Sequence, residues 1–171
     1  MDKEKWYKKP EMVVALSALL ISLVTTIVGI YSASIDRAYA RASVWPRLEL
    51  FKSSGKDIFE FSVKNSGTGP AIVQYAIVEY QSEPIKRWSD ITDLPKVTQS
   101  HLGTRILASQ DVIIPLKYRG EEINKFIDAN KHIEIELCYC SIYDECWLTS
   151  RNNTPRPIDE CKVEPDVKFL Q

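Results

Sequence analysis

Four cysteines, Cys138, Cys140, Cys146 and Cys161, all fall in the last third of this 171-residue chain and are its most chemically distinctive polar set. Zinc draws on paired C-x-x-C knuckles, whereas C-x-C on a strand puts both thiols on one face with no turn to converge them. A redox-active pair would show C-x-x-C ahead of a helix. Structural disulfides suit an exported domain, and buried free thiols are the remaining reading. The hairpin register decides which bond can form. A three-residue loop Ile142-Tyr143-Asp144 sets Cys140 opposite Cys146, so that the two can bridge, whereas Cys138 with Cys161 is the tie to the tail that remains when that bridge is lost. A two-residue loop Tyr143-Asp144 sets Cys146 opposite Ser141 on the other face, and the bridge is lost. Three complete pairings stay open.

The rest of the chain offers little catalytic chemistry. His101 and His132 are isolated, and H-x-x-x-H is absent. Glu134 and Glu136 alternate with Ile133, Ile135 and Leu137, the pattern of a solvated sheet face rather than of an acid/base pair. Gly67-Thr68-Gly69-Pro70 leads into AIVQYAIVEY, a strand sequence, whereas a phosphate cradle opens a helix. No G-x-S-x-G elbow supports a serine nucleophile. The expectation is a non-enzyme with no metal and no cofactor. The 22 basic and 23 acidic side chains nearly cancel, with no basic stripe for nucleic acid.

The elements that hold these residues begin with twenty uncharged residues, Met12 to Tyr31, framed by Glu11 and Asp36. As a helix they cover roughly 30 Å, the hydrocarbon thickness of a bilayer. Ala38-Tyr39-Ala40 resembles a signal-peptide cleavage site, but it lies beyond Asp36 and Arg37, so the segment reads as a retained single-pass anchor. Lys3, Lys5, Lys8 and Lys9 before it, against Arg37, Arg41 and Arg47 after it, place the main domain outside the cytoplasm by a small margin. Ser22, Thr26 and Gly29 share one face that suits helix association and a homo-oligomer. The helix continues as a stalk over residues 32–45 and ends at Pro46. Residues 1–11 read as an N-terminal tail.

From Arg47 the hydrophobic period changes to two. Phe59, Phe61 and Val63 alternate with polar residues, Asn65 to Pro70 interrupts, and Ala71 to Tyr80 resumes. Ser89 to Ser100 reads as a connection with a helical turn capped by Ser89. Thr104 to Ala108 and Val112 to Tyr118 are strands, Glu121 to Asn130 is a short helix, and His132 to Tyr143 with Cys146 to Ser150 is a hairpin. The fold class is mainly β, an immunoglobulin-like β-sandwich over residues 46–154 preceded by a long N-terminal transmembrane α-helix. Residues 155–171, with Pro155, Pro157 and Pro165, read as an irregular tail.

VWPRLEL, FEFSVKNSGTGPAIV, RILASQDVIIPL and CYCSIYDECW together resemble small, largely uncharacterised bacterial proteins with one N-terminal transmembrane helix and an immunoglobulin-like β-sandwich domain. FSVKNSGTG also resembles adhesion-type sandwich modules. The resemblance implies a fold and a membrane attachment, and brings no catalytic residue.

The function expected is a membrane-anchored, non-enzymatic interaction module, an accessory or scaffold subunit with the lipid bilayer and a protein as partners. Its contact surface is placed on the hairpin residues Tyr139, Tyr143 and Trp147. The alternative is a membrane-tethered sensor whose sandwich binds a small ligand.

Overall fold

The computed structural model describes residues 9–171, so Lys3, Lys5, Lys8 and most of the expected N-terminal tail lie outside the described residues. The chain divides into a helical unit up to Ala42 and a sheet unit, Ser43–Gln171.

Helix α1 (Pro10–Ser43) is 34 residues long, about 50 Å at 1.5 Å per residue, and none of its residues is buried. Proline suits its first position, where an amide donor would have no partner, and Glu11 complements the positive end of the helix. Mean hydropathy reaches 2.5 over its most apolar window, so α1 is long and apolar enough to cross a membrane, a property shared with signal sequences. It runs past Tyr31 and stops three residues before Pro46, whose ring bars a helical conformation immediately ahead of it.

Ten strands follow: β1 (Leu48–Ser54), β2 (Ile58–Asn65), β3 (Ala71–Tyr80), β4 (Glu83–Ile85), β5 (Thr98–Gln99), β6 (Arg105–Leu107), β7 (Val112–Arg119), β8 (Ile133–Cys140), β9 (Cys146–Ser150) and β10 (Arg156–Ile158). A short helix, α2 (Ile123–Ala129), joins β7 towards β8. The strands make two antiparallel sheets, ordered β1-β2-β7-β5 and β10-β9-β8-β3-β4, with β6 also on β3.

The core lies between the sheets. Phe59, Phe61 and Val63 of β2 meet Ile133, Ile135, Leu137 and Tyr139 of β8, all buried in one cluster. These are the period-two positions, one face of each pleated strand. In β3 the inward positions shift from Ala71 and Val73 to Ala76 and Val78 across an irregularity between Val73 and Tyr75. An extra residue there reverses the alternation.

Two sequence expectations need correction. Ser89 caps nothing: the turn Trp88–Asp90 is held by Asp90, whose Oδ2 accepts from the amides of Lys86 and Arg87, each at 2.9 Å. Residues 155–171 are also integral to the sheet unit rather than a tail. Strand β10 pairs with β9, Phe169 is 1% exposed in the core, and its amide donates to the Ala76 carbonyl at 2.9 Å. Pro157 fits β10 as an edge strand, where proline costs no ladder bond.

Candidate interaction site

Register gathers several loops at one end of the sheet unit. Leu48 pairs with Asn65, Ile72 with Cys140, and Cys140 with Cys146. The β2–β3 loop, the β8–β9 hairpin tip and the residues that lead into β1 therefore lie together.

Asn65, 0% exposed, organises this end. Its Oδ1 accepts from the amides of Arg47 at 3.2 Å and Gly67 at 3.0 Å. Its Nδ2 donates to the carbonyls of Gly69, Leu107 and Ala108. The amides of Thr68 and Gly69 bond the Trp45 carbonyl. A β-carbon on Gly67 would overlap the backbone of Trp45 and Arg47, and one on Gly69 would overlap Val44. The Gly67–Pro70 stretch is thus a close-approach turn leading into a strand. It clamps Val44 to Arg47, the first residues after the helical unit.

The hairpin beside it is closed by the disulfide Cys140–Cys146, with α-carbons 4.0 Å apart, across a three-residue loop Ile142-Tyr143-Asp144. The Ser141 amide donates to the Glu145 carbonyl and the Asp144 amide to the Ser141 carbonyl. Ser141 Oγ accepts from the amides of Tyr143 and Glu145. Asp144 supplies the left-handed residue at φ 59° that such a loop requires. At the tip Ile142 is 51% and Tyr143 44% exposed.

The three aromatics expected to form the contact surface separate. Tyr139 occupies an inward position of β8 at 1% exposure. Burial pushes its hydroxyl up to about 12, opposed by the hydrogen bond its oxygen accepts from the Leu48 backbone amide and by the Arg47 charge. Trp147, its cross-strand partner, stacks on it at 5.8 Å and meets Trp45 edge-on at 6.4 Å. Only Tyr143 of the three lies at the solvent-facing tip. Ile142 joins it there.

The second disulfide, Cys138–Cys161, crosses from β8 to the C-terminal segment with α-carbons 5.8 Å apart. Both disulfides lie on the outer face of the larger sheet, because Cys138 and Cys140 alternate with the inward Leu137 and Tyr139. Cys138 is wholly buried there with Tyr75 and Leu148, beneath Ile158, Cys161 and Val163. Cys140 Sγ stands 3.7 Å from Cys161 Sγ, although the two belong to different disulfides.

On the same face Glu79 stands directly opposite Glu134. Burial raises the Glu136 carboxyl above its usual range, Arg156 at 3.9 Å acts against that, and Glu79 adds to it. His101 and His132 are exposed. In α1, Ser22 and Thr26 donate their hydroxyls to the carbonyls of Ala18 and Ser22, and Gly29 has open space around it. A groove of about 750 Å³ runs between the Ile91–Pro95 segment, α2 and His132. Among the described residues, every cysteine is in a disulfide.

No protein-family model, curated protein or solved structure matches the chain.

Proposed function

We propose that the chain is a single-pass membrane protein whose sheet unit is an immunoglobulin-like interaction module outside the cytoplasm. The observation that carries this reading is the hairpin tip. Two apolar side chains, Ile142 and Tyr143, are held out to solvent on a loop closed by a disulfide and by satisfied backbone bonds. A loop fixed before binding loses little conformational entropy on contact, so its exposed apolar area converts efficiently into affinity.

Strand order supports the immunoglobulin-like assignment. Sheet order β1-β2-β7-β5 corresponds to A-B-E-D, and β4-β3-β8-β9 to C′-C-F-G. On that correspondence the tip is the F–G loop and the Asn65 loop is B–C, two of the loops used for recognition in variable-type domains, a fold-level analogy. The disulfides lie on one sheet's outer face instead of joining the two sheets. Disulfides persist in oxidising compartments, which supports an extracytoplasmic sheet unit. The apolar α1 supports anchoring, and confinement to a bilayer raises the effective concentration towards a membrane-proximal partner.

Affinity capture tests the reading. Full-length chain should retain a reproducible partner that Ile142→Ser with Tyr143→Ser loses while both disulfides remain. Unchanged capture by the double variant would remove the tip from the interaction. A second reading, ligand sensing, draws on the 750 Å³ groove, which falls within the range of small-molecule sites. Thermal unfolding unmoved by a broad metabolite panel would count against it.

A further inference from the structure

Cys140 Sγ is 3.7 Å from Cys161 Sγ, close to sulfur contact distance, and the sulfurs of Cys140, Cys146 and Cys161 all lie within 4.8 Å of one another. Register explains the arrangement. Cys138 and Cys140 are two apart on one outward face of β8, Cys146 faces Cys140 from β9, and the segment after β10 brings Cys161 over the same face. Cys146, 8% exposed, adjoins the exposed tip and Cys161 is half-buried, whereas Cys138 is wholly buried.

We propose that the two disulfides form an internal exchange pair, which gives the chain thiol–disulfide exchange activity towards an external dithiol. A thiolate of the dithiol attacks Cys146 Sγ, forming a mixed disulfide and expelling Cys140 as a thiolate. The Cys140 thiolate attacks Cys161 Sγ: the Cys140–Cys161 bond forms, the Cys161–Cys138 bond breaks, and Cys138 leaves with the electron pair and takes a proton. The second thiol of the dithiol then resolves the mixed disulfide, leaving an external disulfide and a Cys146 thiol. The chain has gained two electrons and two protons, and its remaining disulfide is Cys140–Cys161. The hairpin has lost its closing bond, while the C-terminal segment stays tied to β8 one alternate position further along.

The test treats full-length chain in lipid nanodiscs with limiting dithiothreitol, traps thiols with N-ethylmaleimide and maps disulfide-linked peptides. The two-electron-reduced fraction should contain Cys140–Cys161 with label on Cys138 and Cys146. A fraction that keeps Cys138–Cys161 with label only on Cys140 and Cys146, or keeps Cys140–Cys146, would overturn the proposal. Cys146→Ala supplies a second reading without reductant, because Cys140 is then a thiol from the outset. Cys140–Cys161 should appear beside Cys138–Cys161, and exclusive recovery of Cys138–Cys161 would contradict the exchange.

Discussion

Asn153 pairs with Leu50 as if it were a strand: its Oδ1 accepts from the Leu50 amide at 2.7 Å and its Nδ2 donates to the Leu50 carbonyl at 2.9 Å. Strand β1 is an edge of its sheet, and an unpaired edge is a template for another chain. A single carboxamide therefore blocks β1 where its outward backbone groups would otherwise be open. Asn153 also sits at φ 56°, a left-handed conformation that asparagine tolerates better than most residues.

Asn153→Gly keeps that conformation accessible and removes both hydrogen bonds. The expected loss is about 1–2 kcal/mol, with increased self-association at high concentration. Urea unfolding and light scattering of the nanodisc-embedded chain would show both, and unchanged values would mean that the edge needs no cover.

Gly69→Ala should be far more damaging than Gly103→Ala. The first β-carbon would overlap the Val44 backbone, which side-chain rotation cannot relieve, while the second meets nothing nearer than the Phe169 carbonyl at 3.5 Å. A loss of about 2 kcal/mol or more is expected for Gly69→Ala and less than about 1 kcal/mol for Gly103→Ala. Comparable unfolding midpoints for the two variants would contradict the clamp on Val44 to Arg47.

These two features differ in how far the sequence announces them. Alternation alone identified Phe59, Phe61 and Val63 as one buried face, and the turn composition of residues 65–70 marked a break between strands. The Asn153 cap was not legible, because its partner is 103 residues away and no local pattern encodes it. Two loop lengths are compatible with the hairpin sequence; the three-residue loop with Asp144 in the left-handed region occurs and sets Cys140 opposite Cys146, whereas Cys138–Cys161 depends on where the C-terminal segment crosses β8. The aromatics misled for a related reason. Tyr139 and Trp147 suit a contact surface by type, yet as a cross-strand pair they share the inward face, and only tertiary stacking shows which face is covered. Prolines at 155, 157 and 165 argued for an irregular tail, whereas an edge strand and a buried Phe169 accept that composition.

Glu136→Gln should stabilise the sheet unit near neutral pH and leave it unchanged in acid. Burial raises the folded-state value above the ordinary 4.5, so the native protein holds its proton more tightly than the unfolded chain does. The resulting stability is present below the unfolded value and is lost as pH rises through the raised one. Glutamine mimics the protonated form throughout, so the variant's advantage should appear only above that window. An unfolding midpoint lowered at pH 7 would show that the Arg156 ion pair outweighs burial.

Cysteine accessibility reports topology. In intact cells, a membrane-impermeant maleimide should label the chain only after mild reduction, as expected for disulfides outside the cytoplasm. Labelling that requires permeabilisation and no reductant would reverse the orientation and place four thiols in the cytosol.

On the proposed function, the hairpin tip meets a partner while α1 holds the chain in the membrane. Tyr143 replaced by a photo-crosslinking phenylalanine analogue, with the same analogue at Lys52 on the exposed part of β1 as control, tests it in living cells. The account predicts one reproducible membrane-fraction adduct from position 143 and none from position 52. Adducts from neither position, or from position 52 alone, would contradict it.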